Sequence, residues 1–477
     1  MTLDGYTSAQ TRRRFLKTTV AAVAGATLCD VEKLLAAPPF VRMDVGGMTA
    51  TTSALVSYGK AIDAMKLLPA TNPLSWAYQA AIHGTTMGGP PQPAWNTCEH
   101  GTLEFLSWHR MYLYWFERII RKQSGDPNFA LPFWNYESAA ERYLPPPFRT
   151  SGTGLYVADV NRGNGWNAGT SFLLSTTVST TGCMPQLPFN SFSSNLEGTP
   201  HNVVHIAFGS TGGWMGSIST AAQDPIFYLH HCNIDRLWNA WLAQGGGRSD
   251  PLSDATWKTK KFLFFDENGK QVWMTGCDIL RAQEQLGYTY EGEPTQVKQY
   301  CPIKLRPPWW HGIYEVLGPW PPIKLPPGPD PAPFELDVRS LRERLLKIAA
   351  ERNTDIVIQL TDVMAERQPN VYWEVYVGLP KDEPAAAESR FYVGNLAIFG
   401  AGVQGEGHGT ARSAQFELRL NDAVRAALSS RDQGSLSLRF VARGAGMKEQ
   451  SEIRNNTMVS VGKATIAVRR LQKARTP

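Results

Sequence analysis

The chain has 477 residues, with 47 Lys and Arg against 42 Asp and Glu and a formal net charge of +5. This length is enough for two domains, and a small charge on scattered basic residues disfavours a nucleic-acid-binding function. No segment predicts a transmembrane span, so a stable membrane anchor is not expected. The six cysteines have no regular spacing, which disfavours a disulfide scaffold but leaves one pair among Cys183, Cys277 and Cys301 open.

The N-terminal segment differs from the rest of the chain. Its sequence Thr11–Lys17 contains three consecutive arginines, and the small-residue, apolar run Thr18–Leu28 follows. This order resembles a twin-arginine export signal. The resemblance implies that residues 1–37 are a signal peptide and that the protein is periplasmic or secreted. A basic disordered tail is the alternative.

Most of the histidines cluster in the first half of the chain. His201 and His205 are separated by three residues, so on a helix both imidazoles would face one metal ion. His230 and His231 are adjacent and would point about 100° apart on a helix, so only one of them is expected to bind metal. Six ligands for two ions then remain. The clustered histidines are His83, His100, His109, His201, His205, His230 and His231.

The type of ligand narrows the choice of metal. Three neutral imidazoles per ion, without thiolate pairs or a carboxylate, suit copper or zinc. A three-histidine zinc site needs only one ion, whereas two facing sites leave open positions for a bridging ligand. Dioxygen is the natural candidate for that ligand, with O2 as co-substrate, because two cuprous ions could together deliver two electrons to it.

Helical periodicity follows these histidines. The segments Ser107–Gln123, Pro200–Phe208 and Pro225–Gln244 predict helices. We therefore expect residues 38–300 to form a mainly α catalytic domain, a four-helix-bundle core whose ligands project inward. The proline-rich residues 301–333 predict a linker.

The remaining residues, 334–477, alternate between apolar and polar side chains. Short alternating runs between turns predict an all-β, sandwich-like C-terminal domain, and its sequence has no cluster of metal ligands. The predicted strands are Asp355–Leu360, Val371–Val377, Phe391–Val393, Ala414–Leu418, Ser435–Phe440 and Val459–Val468.

Two long motifs surround the clustered histidines. The first runs from Cys98-Glu99-His100 through Ser107-Trp108-His109-Arg110 to Leu131–Tyr136, and the second is Asp224–Trp238. Together they resemble the two copper signatures of the tyrosinases and catechol oxidases, the type-3 copper family of polyphenol oxidases. Leu286–Tyr290 likewise resembles the tyrosine motif that ends the catalytic core of that family.

The resemblance assigns the metal ligands. It implies that His83, His100 and His109 bind the first copper ion. It implies that the second copper ion is bound by His201, His205 and His231, the second histidine of the adjacent pair. His230 would then lie next to the ligands without binding copper itself.

Cys98 and Asp235 lie close to the ligands in sequence. The Cys98-Glu99-His100 segment resembles that of fungal tyrosinases, where a thioether joins the cysteine to the ligand histidine; a buried thiol is the alternative. Asp235, four residues after His231, is expected to accept a hydrogen bond from a ligand imidazole or to pair with a nearby arginine. Its alternative is a helix-surface ion pair, for example with Arg236.

Three further residues bear on the substrate. Glu197 and Asn202 resemble the family pair that positions a water, through which the carboxylate can act as a base for a phenol whose pKa is near 10. Glu197 alternatively caps the helix that carries His201. Ile218 matches the family position that gates access to the second copper, and an aliphatic side chain there favours monophenol entry; simple packing is the alternative.

The implied function is that of a tyrosinase-type polyphenol oxidase, which ortho-hydroxylates monophenols and oxidises ortho-diphenols to ortho-quinones. A catechol oxidase without monophenolase activity is the main alternative, and a haemocyanin-like oxygen carrier is a further one. Expected partners are a small phenolic substrate and a copper chaperone. The C-terminal domain resembles that of plant polyphenol oxidases, which covers the copper site with a protruding side chain, and partial latency is therefore a hypothesis.

Overall fold

The computed structural model describes residues 40–473 apart from internal gaps. The signal predicted for residues 1–37 lies outside the described residues. Within the described residues, no helix is both long and apolar enough to cross a membrane. The gaps are residues 89, 91, 164, 210–212, 294–309, 327–332, 342–343, 345–346, 349–350, 352–353, 381–382, 387–388, 401–412, 421–423, 426–434 and 445–456.

The first half of the described chain is mainly helical, which confirms the predicted helical core. Its longest helix, α3, ends at Gly125, whose φ of 74° is a left-handed conformation that glycine adopts without steric cost. The helices are α1 (Ser53–Lys66), α2 (Trp76–His83), α3 (Phe105–Ser124), α4 (Asp159–Arg162), α5 (Phe189–Leu196), α6 (Val203–Gly209), α7 (Ile218–Ala221), α8 (Ile226–Ala243) and α9 (Ala255–Thr259).

Short strands accompany these helices. The first strand, β1, pairs in parallel with β4, while β2 and β3 form an antiparallel pair. The pairing of β1 with β4 brings the first described residues against the tyrosine motif at the end of the helical half. These strands are β1 (Phe40–Arg42), β2 (Phe262–Phe265), β3 (Gln271–Met274) and β4 (Tyr288–Tyr290).

Antiparallel sheets form the C-terminal half, as predicted. The larger sheet has the order β11-β8-β13-β5, with β6 also paired to β13, and the smaller has the order β10-β9-β12-β7. Buried apolar side chains from both sheets form one core. The strands are β5 (Trp310–Trp320), β6 (Ile323–Leu325), β7 (Phe334–Asp337), β8 (Thr354–Ala365), β9 (Val371–Val377), β10 (Tyr392–Leu396), β11 (Ala414–Arg419), β12 (Ser435–Gly444) and β13 (Val459–Lys473).

The prediction that residues 301–333 form a linker is wrong for the central part of this range. Its central part forms β5 and β6, which belong to the larger sheet. Proline suggested a linker here, yet Pro319 lies within β5 opposite Thr465. Because β5 is at the edge of its sheet, a missing N–H donor is tolerated there.

The cysteines also differ from one expectation. Cys183 is a buried free thiol, so it takes no part in a disulfide. Cys277 is disulfide-bonded, and its partner lies outside the described residues. Of the three cysteines among which the sequence left one pair open, the structure thus describes Cys183 as a free thiol and Cys277 as disulfide-bonded.

A buried ion network holds the helical half together around Asp235. Its carboxylate accepts hydrogen bonds from Arg110 Nε at 2.6 Å, Tyr288 at 2.5 Å and Tyr290 at 2.7 Å, and Arg42 Nη1 lies at 3.4 Å. Burial acts to raise the pKa of Asp235, but Arg110 and Arg42 hold it below its usual value. Of the two expected partners, the structure therefore selects an arginine rather than a ligand imidazole.

The surface ion pair suggested as the alternative for Asp235 does not form. Arg236 instead bonds to Glu137 at 2.9 Å. Asp235 faces the interior because α3 and α8 pack together, and Arg110 on α3 reaches it across that contact.

Replacing Asp235 with asparagine should destabilise the copper-free chain by about 3–5 kcal/mol, because two buried arginines lose their shared counter-charge. Urea unfolding at pH 7 measures this loss. The difference should begin to shrink below about pH 4, where the carboxylate of the unfolded chain becomes protonated, and should keep shrinking as the pH falls through the lower pKa of the folded carboxylate. Glu267→Gln is the matched control, because it breaks the partly exposed pair with Arg118 and should cost less than about 1 kcal/mol. Equal losses in the two variants would contradict a special role for Asp235.

Candidate metal centre

The clustered histidines converge on one buried place in the helical half. His83 ends α2, His109 lies on α3 and His205 on α6, whereas His100 and His201 lie just before α3 and α6. The pair His230 and His231 lies on α8. All seven side chains are buried.

Two groups of imidazoles form there, as the sequence predicts. In the first group, the ring of His83 lies 5.3 Å from that of His100 and 5.7 Å from that of His109. In the second group, the ring of His201 lies 4.6 Å from that of His205 and 4.9 Å from that of His231. These distances place three rings of each group around a common point.

The two groups face each other. The rings of His109 and His231 are stacked, with centroids 4.2 Å apart and an interplanar angle of 4°. His231 also has a ligand atom within 4.8 Å of those of His83 and His109. The two predicted metal positions are therefore neighbours, which a shared ligand between two ions requires.

Hydrogen bonds to one ring nitrogen determine which nitrogen is available to a metal. Nδ1 of His83 lies 3.0 Å from the Ile218 carbonyl, and Nδ1 of His205 lies 2.8 Å from that of Met215. His109 Nδ1 lies 2.8 Å from the Phe105 carbonyl. Because a carbonyl only accepts, Nδ1 must donate, which leaves the Nε2 lone pair for a metal.

The Nε2 atoms of five predicted ligands are buried and have no hydrogen-bond partner among the described residues. Burial also lowers the pKa of these imidazoles, that of His201 to about 3, so they are neutral as metal ligands must be. Unsatisfied buried nitrogens are costly, and a bound metal would satisfy them. The side chains therefore fit two copper ions. The five are His100, His109, His201, His205 and His231.

His230 is close to the same group. Its ligand atom lies within 4.8 Å of those of His201, His205 and His231. Its Nδ1 lies 3.1 Å from the Tyr136 hydroxyl. The exclusion of His230 from the ligands stays a prediction.

Cys98 lies against the imidazole of His100. Its sulfur is 3.4 Å from His100 Nδ1, and burial raises the pKa of the thiol. The sulfur is thus beside the ring to which the resemblance would join it.

Glu197 connects two ligand-bearing segments. Its carboxylate accepts a 2.7 Å hydrogen bond from the backbone N–H of Gly101, the residue after His100. Burial raises the pKa of Glu197 to about 8. It thus binds the loop of His100 rather than the N-terminus of its own helix.

Asn202 bonds in two directions. Its Oδ1 lies 2.8 Å from His201 Nδ1, and its Nδ2 donates a 2.8 Å hydrogen bond to the carbonyl of Ala397. Ala397 belongs to the C-terminal half of the chain. The residue expected to position a water is therefore in contact with that half.

Phe399 covers the metal centre, and the sequence did not single it out. Its ring stacks on that of His205 at 4.0 Å and 13°, and lies 5.6 Å from His100 and 5.9 Å from His201. It is 1% exposed. The only sequence signal is an apolar run, Ala397–Phe399, that ends at a glycine.

Ile218, the expected gate, lies beside the same segment. It is buried, and a Cβ at Gly400 would overlap its side chain. Gly400 therefore allows the chain after Phe399 to pass over Ile218. We call Ala397–Gly400 the shielding segment.

Comparison with known proteins places these features in context. A family model described as the common central domain of tyrosinase matches residues 73–189 and 159–244, and the polyphenol oxidase middle domain matches residues 251–302. A tyrosinase from Hahella sp. (strain CCB-MM4) is 37% identical over 49% of this chain and 59% of its own length. The chloroplastic polyphenol oxidase A of Solanum lycopersicum is 33% identical over 57% of this chain and 49% of its own length.

The chain therefore spans about half the length of the curated relatives it matches. Among solved structures, a recombinant latent aurone synthase (polyphenol oxidase) has a TM-score of 0.61 at 19% identity, covering 91% of this chain and 90% of that chain. Latent apple tyrosinase has a TM-score of 0.55 at 22% identity, covering 91% and 97%. At these identities the likeness establishes the fold across both halves.

Proposed function

We propose, from the membership of residues 73–244 and 251–302 in the tyrosinase and polyphenol oxidase family, that the chain is a copper-dependent oxidoreductase that ortho-hydroxylates monophenols and oxidises ortho-diphenols to ortho-quinones with dioxygen. The observation that carries the proposal is the pair of facing imidazole groups with buried, unsatisfied Nε2 atoms. Three histidines would hold each copper ion, as assigned above.

The bound copper ions would supply the exchange of electrons with dioxygen. The side chains supply orientation and proton transfer. Glu197 would take the proton of the phenol hydroxyl through a water held by Asn202, because a carboxyl group with a pKa of about 8 is closer in basicity to a phenol than an exposed one. A catechol needs no hydroxylation and would lose two protons and two electrons directly.

Oxygen uptake by the copper-loaded chain tests the proposal. We expect uptake with a catechol, and with tyrosine or 4-hydroxybenzoate, and loss of both after copper chelation. Uptake with the catechol alone, both by the intact chain and after removal of the C-terminal half, would identify a catechol oxidase. Reversible dioxygen binding without turnover would identify an oxygen carrier and reject the enzyme.

Replacing Asn202 with leucine should lower monophenol hydroxylation by roughly 100-fold, the lower end of what general-base catalysis contributes, and lower catechol oxidation much less. Initial rates at matched copper content measure both, after the C-terminal half has been cleaved off and separated so that its contact with Asn202 is absent. Asn202→Asp should show the same selectivity, because it retains an oxygen acceptor for His201 but loses the amide donor. Asn195→Leu is the control, since among the described residues that amide donates to the Ser191 carbonyl four positions earlier. Equal loss of both activities in the Asn202 variants would indicate structural damage.

We also propose a thioether between Cys98 and His100, supported by their 3.4 Å contact. Its formation removes one hydrogen from sulfur and one from the ring, with dioxygen as oxidant. The intact mass of the chain should therefore stay two hydrogens below that of the fully reduced sequence after a thiol reductant has opened the Cys277 disulfide. An unshifted mass, or the same deficit in Cys98→Ser, would contradict the link.

The C-terminal half would act as a shield. Phe399 occupies the space above His205 that a phenol ring would need, and it lies in the core of the helical half together with Ala397 and Tyr372. We therefore expect the intact chain to be partly latent. A small phenol and a copper chaperone remain the proposed partners.

A further inference from the structure

The shielding segment is held from both sides by side-chain amides. On the helical side, Asn202 Nδ2 donates to the Ala397 carbonyl. On the sheet side, Gln368 Nε2 donates to the Ile398 carbonyl at 2.6 Å, and Gln368 Oε1 lies 3.5 Å from the N–H of Gly400. The backbone on each side of Phe399 is therefore anchored independently of the Phe399 ring.

The hydrogen bond on the helical side uses the side-chain amide of Asn202, which the proposed hydroxylation needs to position a water. Asn202 already gives its Oδ1 to His201, so its amide hydrogens are what it can offer to a water. In the shielded structure Ala397 accepts from that amide. The Ala397 carbonyl thus occupies one of the two N–H donors that this amide could offer to a water.

We infer that the Ala397 carbonyl is a specificity-determining group that withholds Asn202 from monophenol hydroxylation as long as the shielding segment is docked. The segment then acts twice: the Phe399 ring blocks entry of any phenol, and the Ala397 carbonyl occupies an N–H of the water-positioning amide. The inference rests on the proposed role of Asn202. It implies that access of a phenol to the copper site and hydroxylation of a monophenol can be restored by different substitutions.

Two substitutions in the full chain separate these actions. Phe399→Ala removes the ring but leaves the Asn202 and Gln368 anchors. Gly400→Val expels the segment, because its side chain would overlap Ile218 and because a β-branched residue is strained at a φ of 73°. The first variant should open the copper site with Asn202 still engaged, and the second should open it with Asn202 released.

The measurement is the ratio of tyrosine hydroxylation to catechol oxidation in the copper-loaded full chain. In Phe399→Ala, catechol oxidation should rise at least about tenfold over wild type while the ratio stays roughly tenfold below that of Gly400→Val. Gln368→Ala combined with Phe399→Ala should raise the ratio towards that of Gly400→Val, and it replaces Gly400→Val if the latter does not fold. Equal ratios in Phe399→Ala and Gly400→Val would overturn the inference.

Hydrogen–deuterium exchange of the copper-free chain tests the contact without activity. Asn202→Leu should accelerate exchange at residues 396–400, whereas Asn195→Leu should not. Unchanged exchange in Asn202→Leu would also overturn the inference. If exchange accelerates but Asn202→Leu in the Gly400→Val background lowers both activities equally, the contact exists and the proposed role of Asn202 fails, and the inference fails with it. Absence of turnover in every variant would reject the proposed function instead.

Discussion

Replacing His205 with alanine is expected to lower phenol oxidation by more than about 100-fold, because substitutions that only support metal ligands already cost roughly 10–100-fold. His205 presents Nε2 to the centre, and its Nδ1 is held by the Met215 carbonyl. Its loss would leave one copper position with two imidazoles. The copper content should fall from two ions per chain towards one, as measured by elemental analysis, together with oxygen uptake on a catechol.

His230→Ala is the matched control for this prediction. His230 is as deeply buried as His205 and lies in the same group of side chains. If it stands behind the ligands, the variant should retain two copper ions and lose affinity by at most about 100-fold. Loss of one copper ion in His230→Ala, with retention in His231→Ala, would reverse the assignment within the pair.

Cleavage between the two halves, followed by their separation, should raise the turnover of a catechol by at least about tenfold. A hundredfold rise would mean that docking of the shield is favoured by about 2.8 kcal/mol, since each 1.4 kcal/mol corresponds to a factor of ten. Oxygen uptake before cleavage, after cleavage and after size-exclusion chromatography measures the effect. Equal activity of the intact chain and the separated catalytic half would count against latency.

Separation matters because side-chain contacts as well as the continuous chain join the halves. Arg469 on β13 donates from Nη1 to Ser191 at 2.7 Å and from Nη2 to Gln186 at 2.7 Å, both in the helical half. Arg469→Ala should therefore increase the activity of the nicked chain before chromatography. Arg419→Ala is the control, because Arg419 also bonds to Asp355 but is partly exposed. An equal increase in both variants would show that Asp355, rather than the contact between halves, controls docking.

Several features could be predicted because they are local in sequence. The spacing of His201 and His205 and the adjacency of His230 and His231 follow directly from helical periodicity. The alternating strands after residue 354 are visible for the same reason, since each run has a period of two. Strand β5 was missed because its edge position, which tolerates Pro319, depends on the order of strands in the sheet.

The sequence by itself predicted the two histidine clusters, the helical core and the sheet domain, because each is encoded by short-range periodicity or by a contiguous motif. Only the tertiary structure decided which distant residues contact the histidine clusters and the side chains next to them. Asn202 and Ala397 are 195 positions apart, and Asp235 meets Arg110 across 125 positions. Such contacts depend on how helices and sheets pack and leave no periodic signal. The contact of Phe399 with the histidines is therefore a property of packing, although the histidine clusters themselves can be predicted from their order in the sequence.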